Sequence, residues 1–116
     1  MKIDQFERGL NQAWHDALFD NKVTVVEVTL FPNQDRRHDE RHLLGLANSV
    51  IEKLEKLRGT IRFSFLGASK KTENCFPQLA FSCETRDDVL KMHGALAGHF
   101  VEPMTSGYNI RYVELK

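Results

Sequence analysis

The strongest strand pattern in the chain is the stretch Lys22–Phe31, KVTVVEVTLF, which is rich in β-branched residues. A strand with apolar residues on both faces must be covered on both sides, so this pattern predicts a central strand of a sheet. Pro32 ends the stretch. The apolar residues are Val23, Val25 and Phe31 on one alternating face, and Val26, Val28 and Leu30 on the other.

Three other segments carry apolar residues at helical spacing and predict amphipathic helices. In the first, Asp4 and Glu7 have the spacing of a capping box. The second predicted helix is stopped by Gly59, which follows it. The third begins after Thr85, a good N-cap residue. The predicted helices span residues 1–21, 39–57 and 86–100.

Alternating apolar and polar residues predict three further strands, at 60–66, 76–83 and 108–115. From residue 22 the order is strand, helix, strand, strand, helix, strand, which is the ferredoxin-like split βαβ arrangement. We therefore predict a single α+β domain over residues 1–116. It consists of a βαββαβ core (22–116) with an antiparallel sheet, and an N-terminal helix (1–21) that covers the free sheet face unless a partner chain does.

The composition is that of an ordinary globular protein, with 41% hydrophobic and 28% charged residues. The 16 basic and 16 acidic residues cancel, so binding to nucleic acid or to an anionic membrane requires a local patch. No apolar run approaches the roughly 18 residues of a membrane span, which predicts a cytoplasmic protein without membrane contact. Cys75 and Cys83 lack metal-site spacing and are expected to be reduced thiols.

Residues 38–48, HDERHLLGLAN, share their spacing with the zinc-protease signature HExxHxxGxxH. His38 and His42 would be the first two zinc ligands. However, Asp39 replaces the general-base glutamate and Asn48 replaces the third ligand. We therefore predict the start of a helix, whose acidic residues complement the helix dipole, and no metal or other cofactor. A zinc-dependent hydrolase using His38 and His42 is the alternative.

Basic residues gather between the end of the second helix and the predicted hairpin connection Gly67–Asn74. Two lysines at a hairpin tip, beside a strand bearing Phe63 and Phe65, would hold a backbone phosphate and stack a base. Against this, the two phenylalanines also fit a core, and the RNP1 pattern of RRM domains is missing. A plain solvated surface is the alternative. The candidate residues for binding nucleic acid or another partner are Lys56, Arg58, Arg62, Lys70, Lys71 and Phe76.

Two stretches, KVTVVEVTLFP and TIRFSFLGASKKTENCFPQLAFSCETRDDVLKM, resemble the core of the rolling-circle replication initiators of filamentous phages and related HUH endonucleases. In that family, two histidines flanking a hydrophobic residue hold a divalent metal, and a tyrosine on a later helix attacks DNA. Here Cys75 and Pro77 match the histidine positions, and the segment 86–100 contains no tyrosine. The resemblance implies a derivative without nicking chemistry that keeps a fold suited to holding DNA or a DNA-handling protein.

Together these features predict a small non-catalytic binding module that contacts nucleic acid or a nucleic-acid-processing protein complex. An origin in a phage or other mobile element, and a role as replication accessory or as an inhibitor of host defence of the anti-CRISPR kind, follow from the resemblance alone. A protein-only interaction domain, homodimeric through its free sheet face or edge strand, is the second hypothesis. The zinc-dependent hydrolase is the third.

Overall fold

A computed structural model of the protein describes residues 2–32, 38–70, 76–99 and 107–114, the last range as backbone only. The predicted α+β class is confirmed. The elements are α1 (Gln12–Leu18), β1 (Thr24–Phe31), α2 (Glu40–Glu55), β2 (Ser64–Ser69), β3 (Gln78–Cys83), α3 (Arg86–His99) and β4 (Gly107–Glu114).

The four strands form one sheet in the order β2-β3-β1-β4, and each neighbouring pair is antiparallel. In β1, Val26 lies opposite Phe81 of β3 on one side and opposite Tyr112 of β4 on the other. Strand β1 is therefore an inner strand, as its two apolar faces predicted. Among the described strands, β2 and β4 form the two edges of the sheet.

The hydrophobic core lies between one sheet face and the helices α2 and α3. Strand β1 contributes Val26, Val28 and Leu30, which are fully buried. Helix α2 fits onto this face because its apolar residues recur every three or four positions and so form one stripe. The stripe consists of Leu43, Leu46, Ala47, Val50, Ile51 and Leu54, and α3 adds Val89, Met92 and Leu96.

Strand β2 begins and ends later than the predicted range 60–66. Its pairing with β3 changes register between Phe65 and Gly67, where a β-bulge inserts one residue. Gly67 has a φ of +147°, a conformation that glycine adopts without strain. A Cβ at this position would clash with Nδ2 of Asn11. Because of this bulge, strand β2 continues through Gly67 to Ser69, which were predicted to belong to the hairpin connection.

The predicted N-terminal helix is wrong for its first half, because residues 2–10 contain no helix and run beside strand β2. The backbone N–H of Glu7 donates to the carbonyl of Ala68 at 2.9 Å, and the N–H of Lys70 donates to the carbonyl of Glu7 at 3.1 Å. These bonds satisfy polar groups on the edge of β2, which a helix at this position would leave unpaired.

Two further contacts hold this N-terminal segment, defined as residues 2–10. The side-chain amide of Asn48 on α2 accepts from the N–H of Ile3 and donates to its carbonyl, both at 2.8 Å. Phe6 is only 7% exposed and belongs to the core cluster. The segment is therefore anchored to both the sheet edge and α2.

Helix α1 covers part of the second sheet face. Asn11 caps the helix by accepting from the N–H of Trp14 at 2.9 Å. The helix contacts β1 and β2, and it borders a cleft of about 340 Å³ together with Glu27 and Gln78. None of its side chains is fully buried, so the predicted covering of this face by the N-terminal helix is partial. Among the described helices, none combines the length and apolar character that crossing a membrane requires.

Candidate nucleic-acid interface

Arg58, in the turn after α2, is held in place by three kinds of contact. Its guanidinium forms a fork with the carboxylate of Glu55 at 2.7 and 3.0 Å and donates to the carbonyl of Phe63 at 3.0 Å. The guanidinium carbon lies 4.2 Å from the centroid of the Phe63 ring. Hydrogen bonding lowers the pKa of Glu55 and raises that of Arg58. Arg58 therefore links the end of α2 to the residue before β2, while its side chain remains partly exposed.

Arg62 has a hydrogen-bonded backbone and an exposed side chain. Its N–H donates to Oδ1 of Asp88 at 3.0 Å, and the hydroxyl of Thr85 donates to Oδ2 of the same carboxylate. These hydrogen bonds lower the pKa of Asp88, which remains ionised although only 3% of it is exposed. The side chain of Arg62 is 80% exposed and reaches Asp88 only at 3.6 Å. Its guanidinium is therefore available to a ligand.

Lys56 lies near these two arginines at the end of α2. Its Nζ is 3.4 Å from Oε1 of Glu52 one turn earlier, and its side chain is 72% exposed. An exposed pair of this kind contributes little to stability. Lys56, Arg58 and Arg62 together define what we call the α2–β2 basic end.

Lys70 lies at the opposite end of strand β2 and is not the exposed hairpin-tip lysine that the sequence predicted. It is only 4% exposed, and its Nζ lies 3.3 Å from Oε2 of Glu40 in the first turn of α2. The prediction that Lys70 is exposed is wrong, because its backbone pairs with Glu7 at the sheet edge and its side chain is turned inward. Lys71, the other predicted tip lysine, lies outside the described residues.

Among the described residues, the predicted contact residues therefore divide into the α2–β2 basic end and Lys70 rather than forming one patch. The six residues of β2 separate the groups by roughly 20 Å at the usual rise of a strand. Phe76 belongs to neither group, because its ring packs edge-on against Phe31 with centroids 4.8 Å apart. Phe63 and Phe65 pack on the buried Phe81, so they belong to the core rather than to a base-stacking surface.

The two histidines of the zinc-like motif do not share one helix face. Helix α2 starts at Glu40, with Asp39 as its N-cap accepting from the N–H of His42 at 3.1 Å, so His38 precedes the helix. This arrangement agrees with the predicted helix start. The Nε2 atom of His42 is buried and has no hydrogen-bond partner among the described residues. Within residues 2–32, 38–70 and 76–99, no three His, Cys, Asp or Glu side chains are grouped to hold a metal ion.

The two cysteines were predicted to be reduced thiols, and Cys83 is a free, buried thiol. Burial raises its pKa to about 11. A thiol with so high a pKa is a poor nucleophile at neutral pH, because little of it is thiolate. Cys75 lies outside the described residues.

A contact that the sequence did not reveal joins helices α2 and α3. The Oγ of Ser49 lies 3.1 Å from Nε2 of His99, and the same hydroxyl donates to the carbonyl of Leu46 at 2.8 Å. A serine hydroxyl has one proton, so while it bonds to Leu46 the imidazole must be the donor. The pair is therefore arranged as a hydrogen bond between helices. Burial, and then the charge of Lys53, lower the pKa of His99.

We expect the free energy of unfolding to fall as the pH is lowered through the range just below 6.5, the ordinary pKa of His99. The folded protein favours the neutral imidazole, so the unfolded chain binds more protons in this range, and the stability that is complete above pH 6.5 is progressively lost. Urea denaturation at a series of pH values measures the effect. His99→Gln should weaken this pH dependence relative to the unmodified protein. An unchanged dependence in this variant would contradict the assignment.

No protein-family profile, curated protein or solved structure matches this chain.

Proposed function

We propose that this protein is a non-catalytic binding module with a ferredoxin-like fold, and that its α2–β2 basic end contacts the phosphate backbone of a nucleic acid. It would act alone or within a nucleic-acid-processing complex. The strand order β2-β3-β1-β4, with α2 and α3 on one face, supports the ferredoxin-like assignment. The observation that carries the functional proposal is the side chain of Arg62, which is 80% exposed on a backbone that Asp88 holds in place.

A fixed backbone and an exposed guanidinium suit phosphate binding for a physical reason. An arginine fork can bind phosphate oxygens in a bidentate manner, and the anchored backbone lowers the entropy lost on binding. Arg58 lies nearby with its own guanidinium stacked on Phe63. Lys56 adds a third positive charge, since its pairing with Glu52 is exposed and weak.

The expected mode of binding is contact with the backbone rather than reading of bases. Base-stacking by Phe63 and Phe65 is disfavoured because both rings pack on the core residue Phe81. The second sheet face, which RRM domains use for stacking, is partly covered by α1. We therefore expect weak sequence preference and strong dependence on salt.

The test is fluorescence anisotropy with labelled single- and double-stranded DNA and RNA, titrated at several salt concentrations. Arg62→Gln is expected to weaken binding about tenfold, the equivalent of one charge-assisted contact, and to reduce the salt slope by about 0.7 to 1. Lys91→Gln is the matched control, because Lys91 is also an exposed cation paired with an aspartate, Asp87, at 3.0 Å. It lies on α3, where its charge reaches Asp88 but it makes no contact with Arg62, so its loss should change affinity far less than Arg62→Gln.

Equal affinities for the two variants, or no binding to any of these probes at low salt, would overturn the proposal.

The second candidate function, a homodimeric protein-only interaction domain, would then gain support. It is favoured by strand β4, which pairs with β1 along eight residues and forms an outer edge of the described sheet. Such an edge can pair with the same strand of a second copy.

A further inference from the structure

We infer that a cleft at the far end of strand β2, lined by Arg8, His38, Glu40 and Lys70, is a phosphate-binding site. The cleft has a volume of about 350 Å³, at the small end of ligand pockets in proteins. It shares no residue with the α2–β2 basic end. The inference therefore extends the proposed function without depending on it.

The first observation is the burial of Lys70. Only 4% of this residue is exposed, and its ammonium group has one partner among the described residues, Oε2 of Glu40 at 3.3 Å. That distance is longer than the 2.7 to 2.9 Å typical of strong charge-assisted hydrogen bonds, and an ammonium has three donors. Burying a lysine is costly unless its charge is well paired. A ligand anion in the cleft would supply the missing acceptors.

The second observation is the charge of the cleft. Among the described residues that line the cleft, Arg8 and Lys70 are cationic and Glu40 is anionic. Glu40 is half exposed, so its carboxylate can move aside for a ligand of higher charge. A phosphate has that charge and several acceptor oxygens, which match an arginine fork together with a lysine point charge.

The third observation is that backbone hydrogen bonds bring the segments of Arg8 and Lys70 to the same cleft. Glu7 exchanges hydrogen bonds with Ala68 and Lys70 on the edge of β2, and Arg8 is the next residue along the N-terminal segment. His38 directly precedes the N-cap of α2, and Glu40 lies in its first turn. The cleft is thus built from three separately anchored parts of the chain, so its geometry is set before a ligand arrives.

The test is isothermal titration calorimetry with inorganic phosphate at constant ionic strength, with chloride as the reference anion. We expect saturable binding by the unmodified protein, and binding about tenfold weaker or lost in Arg8→Gln. Lys70→Gln should have a similar effect, and Arg8→Gln keeps the test valid if loss of the buried lysine impairs folding. Lys91→Gln, on α3 and in neither proposed site, is the control and should bind phosphate normally.

A second set of titrations identifies the source of the phosphate. Short oligonucleotides with and without a 5′-phosphate are compared with inorganic phosphate in the Arg62→Gln variant, so that binding at the α2–β2 basic end contributes little. Tighter binding of the 5′-phosphorylated form would assign the site to a phosphomonoester, and equal binding of both forms, tighter than that of inorganic phosphate, would assign it to the phosphodiester backbone. Absence of phosphate binding, or unchanged binding in Arg8→Gln, would overturn the inference. Neither result would bear on Arg62, so failure here and failure of the proposed function are distinguishable.

Discussion

Replacing Phe81 by alanine is expected to lower the free energy of unfolding by about 3 to 5 kcal/mol, the range for large aromatic residues removed from cores. Phe81 is fully buried on the inner strand β3. Its ring centroid lies 5.8 Å from that of Phe63 and 5.4 Å from that of Phe65. The substitution would therefore leave a cavity and remove two aromatic contacts at once.

Urea denaturation measures this loss, and Phe76→Ala is the matched control. Phe76 is 40% exposed and packs edge-on against Phe31, so its removal should cost only about 1 kcal/mol. Small domains have total stabilities of about 5 to 15 kcal/mol, so the Phe81 variant would lose a large share. A loss no greater than that of Phe76→Ala would contradict the packing described for β3.

The second large effect is expected for Phe6→Ala, which should destabilise the protein by about 3 kcal/mol. Phe6 is 7% exposed and packs in the core cluster, although it lies in an extended segment near the chain start. Phe19→Ala is the control, because Phe19 is 73% exposed just after α1, and its loss should change stability by no more than about 0.5 kcal/mol.

Hydrogen exchange provides an independent readout of the Phe6 variant. The N–H groups of Glu7 and Lys70 are bonded across the edge of β2 and should be protected in the unmodified protein. They should exchange faster in Phe6→Ala, because the core contact that holds the N-terminal segment is lost. Equal destabilisation by Phe6→Ala and Phe19→Ala, with unchanged exchange of these amides, would contradict the placement of this segment.

Strand β1, helix α2 and helix α3 could be predicted from the sequence because their patterns are local. The two apolar faces of β1 indicated an inner strand, and the stripe from Leu43 to Leu54 indicated the buried face of α2. The start of α2 was also predictable, since Asp39 is a good N-cap residue beside Glu40.

The N-terminal segment and the bulge in β2 could not be predicted, because both depend on contacts between distant parts of the chain. Apolar residues from Ile3 onward fit a helix, yet the open edge of β2 and the amide of Asn48 offer the backbone other partners. In β2, Gly67 looks like the start of a loop, whereas its positive φ accommodates a bulge against Asn11. Local periodicity carries no information about such partners.

The candidate site was predictable in residue type but not in arrangement. Lys70 was predicted to lie with Arg58 and Arg62 because the three are close in the sequence. They are far apart in the structure because an extended strand covers a long distance per residue. Arg8 was missed because it precedes Lys70 by more than sixty positions in the chain, and only the edge pairing of Glu7 brings the two residues to one cleft. No local pattern signals that placement.

The central claim is that the protein acts by contacting phosphate groups through basic residues at the two ends of β2. The most direct test is a titration of the isotope-labelled protein with a single-stranded DNA of about ten nucleotides, followed by amide chemical shifts in NMR spectra. We predict that the shifts concentrate at Arg58 and Arg62, and at Arg8, His38 and Lys70, and that they diminish as salt is added. No shifts at low salt, or shifts confined to the outer face of α3 around Leu90, would contradict the claim.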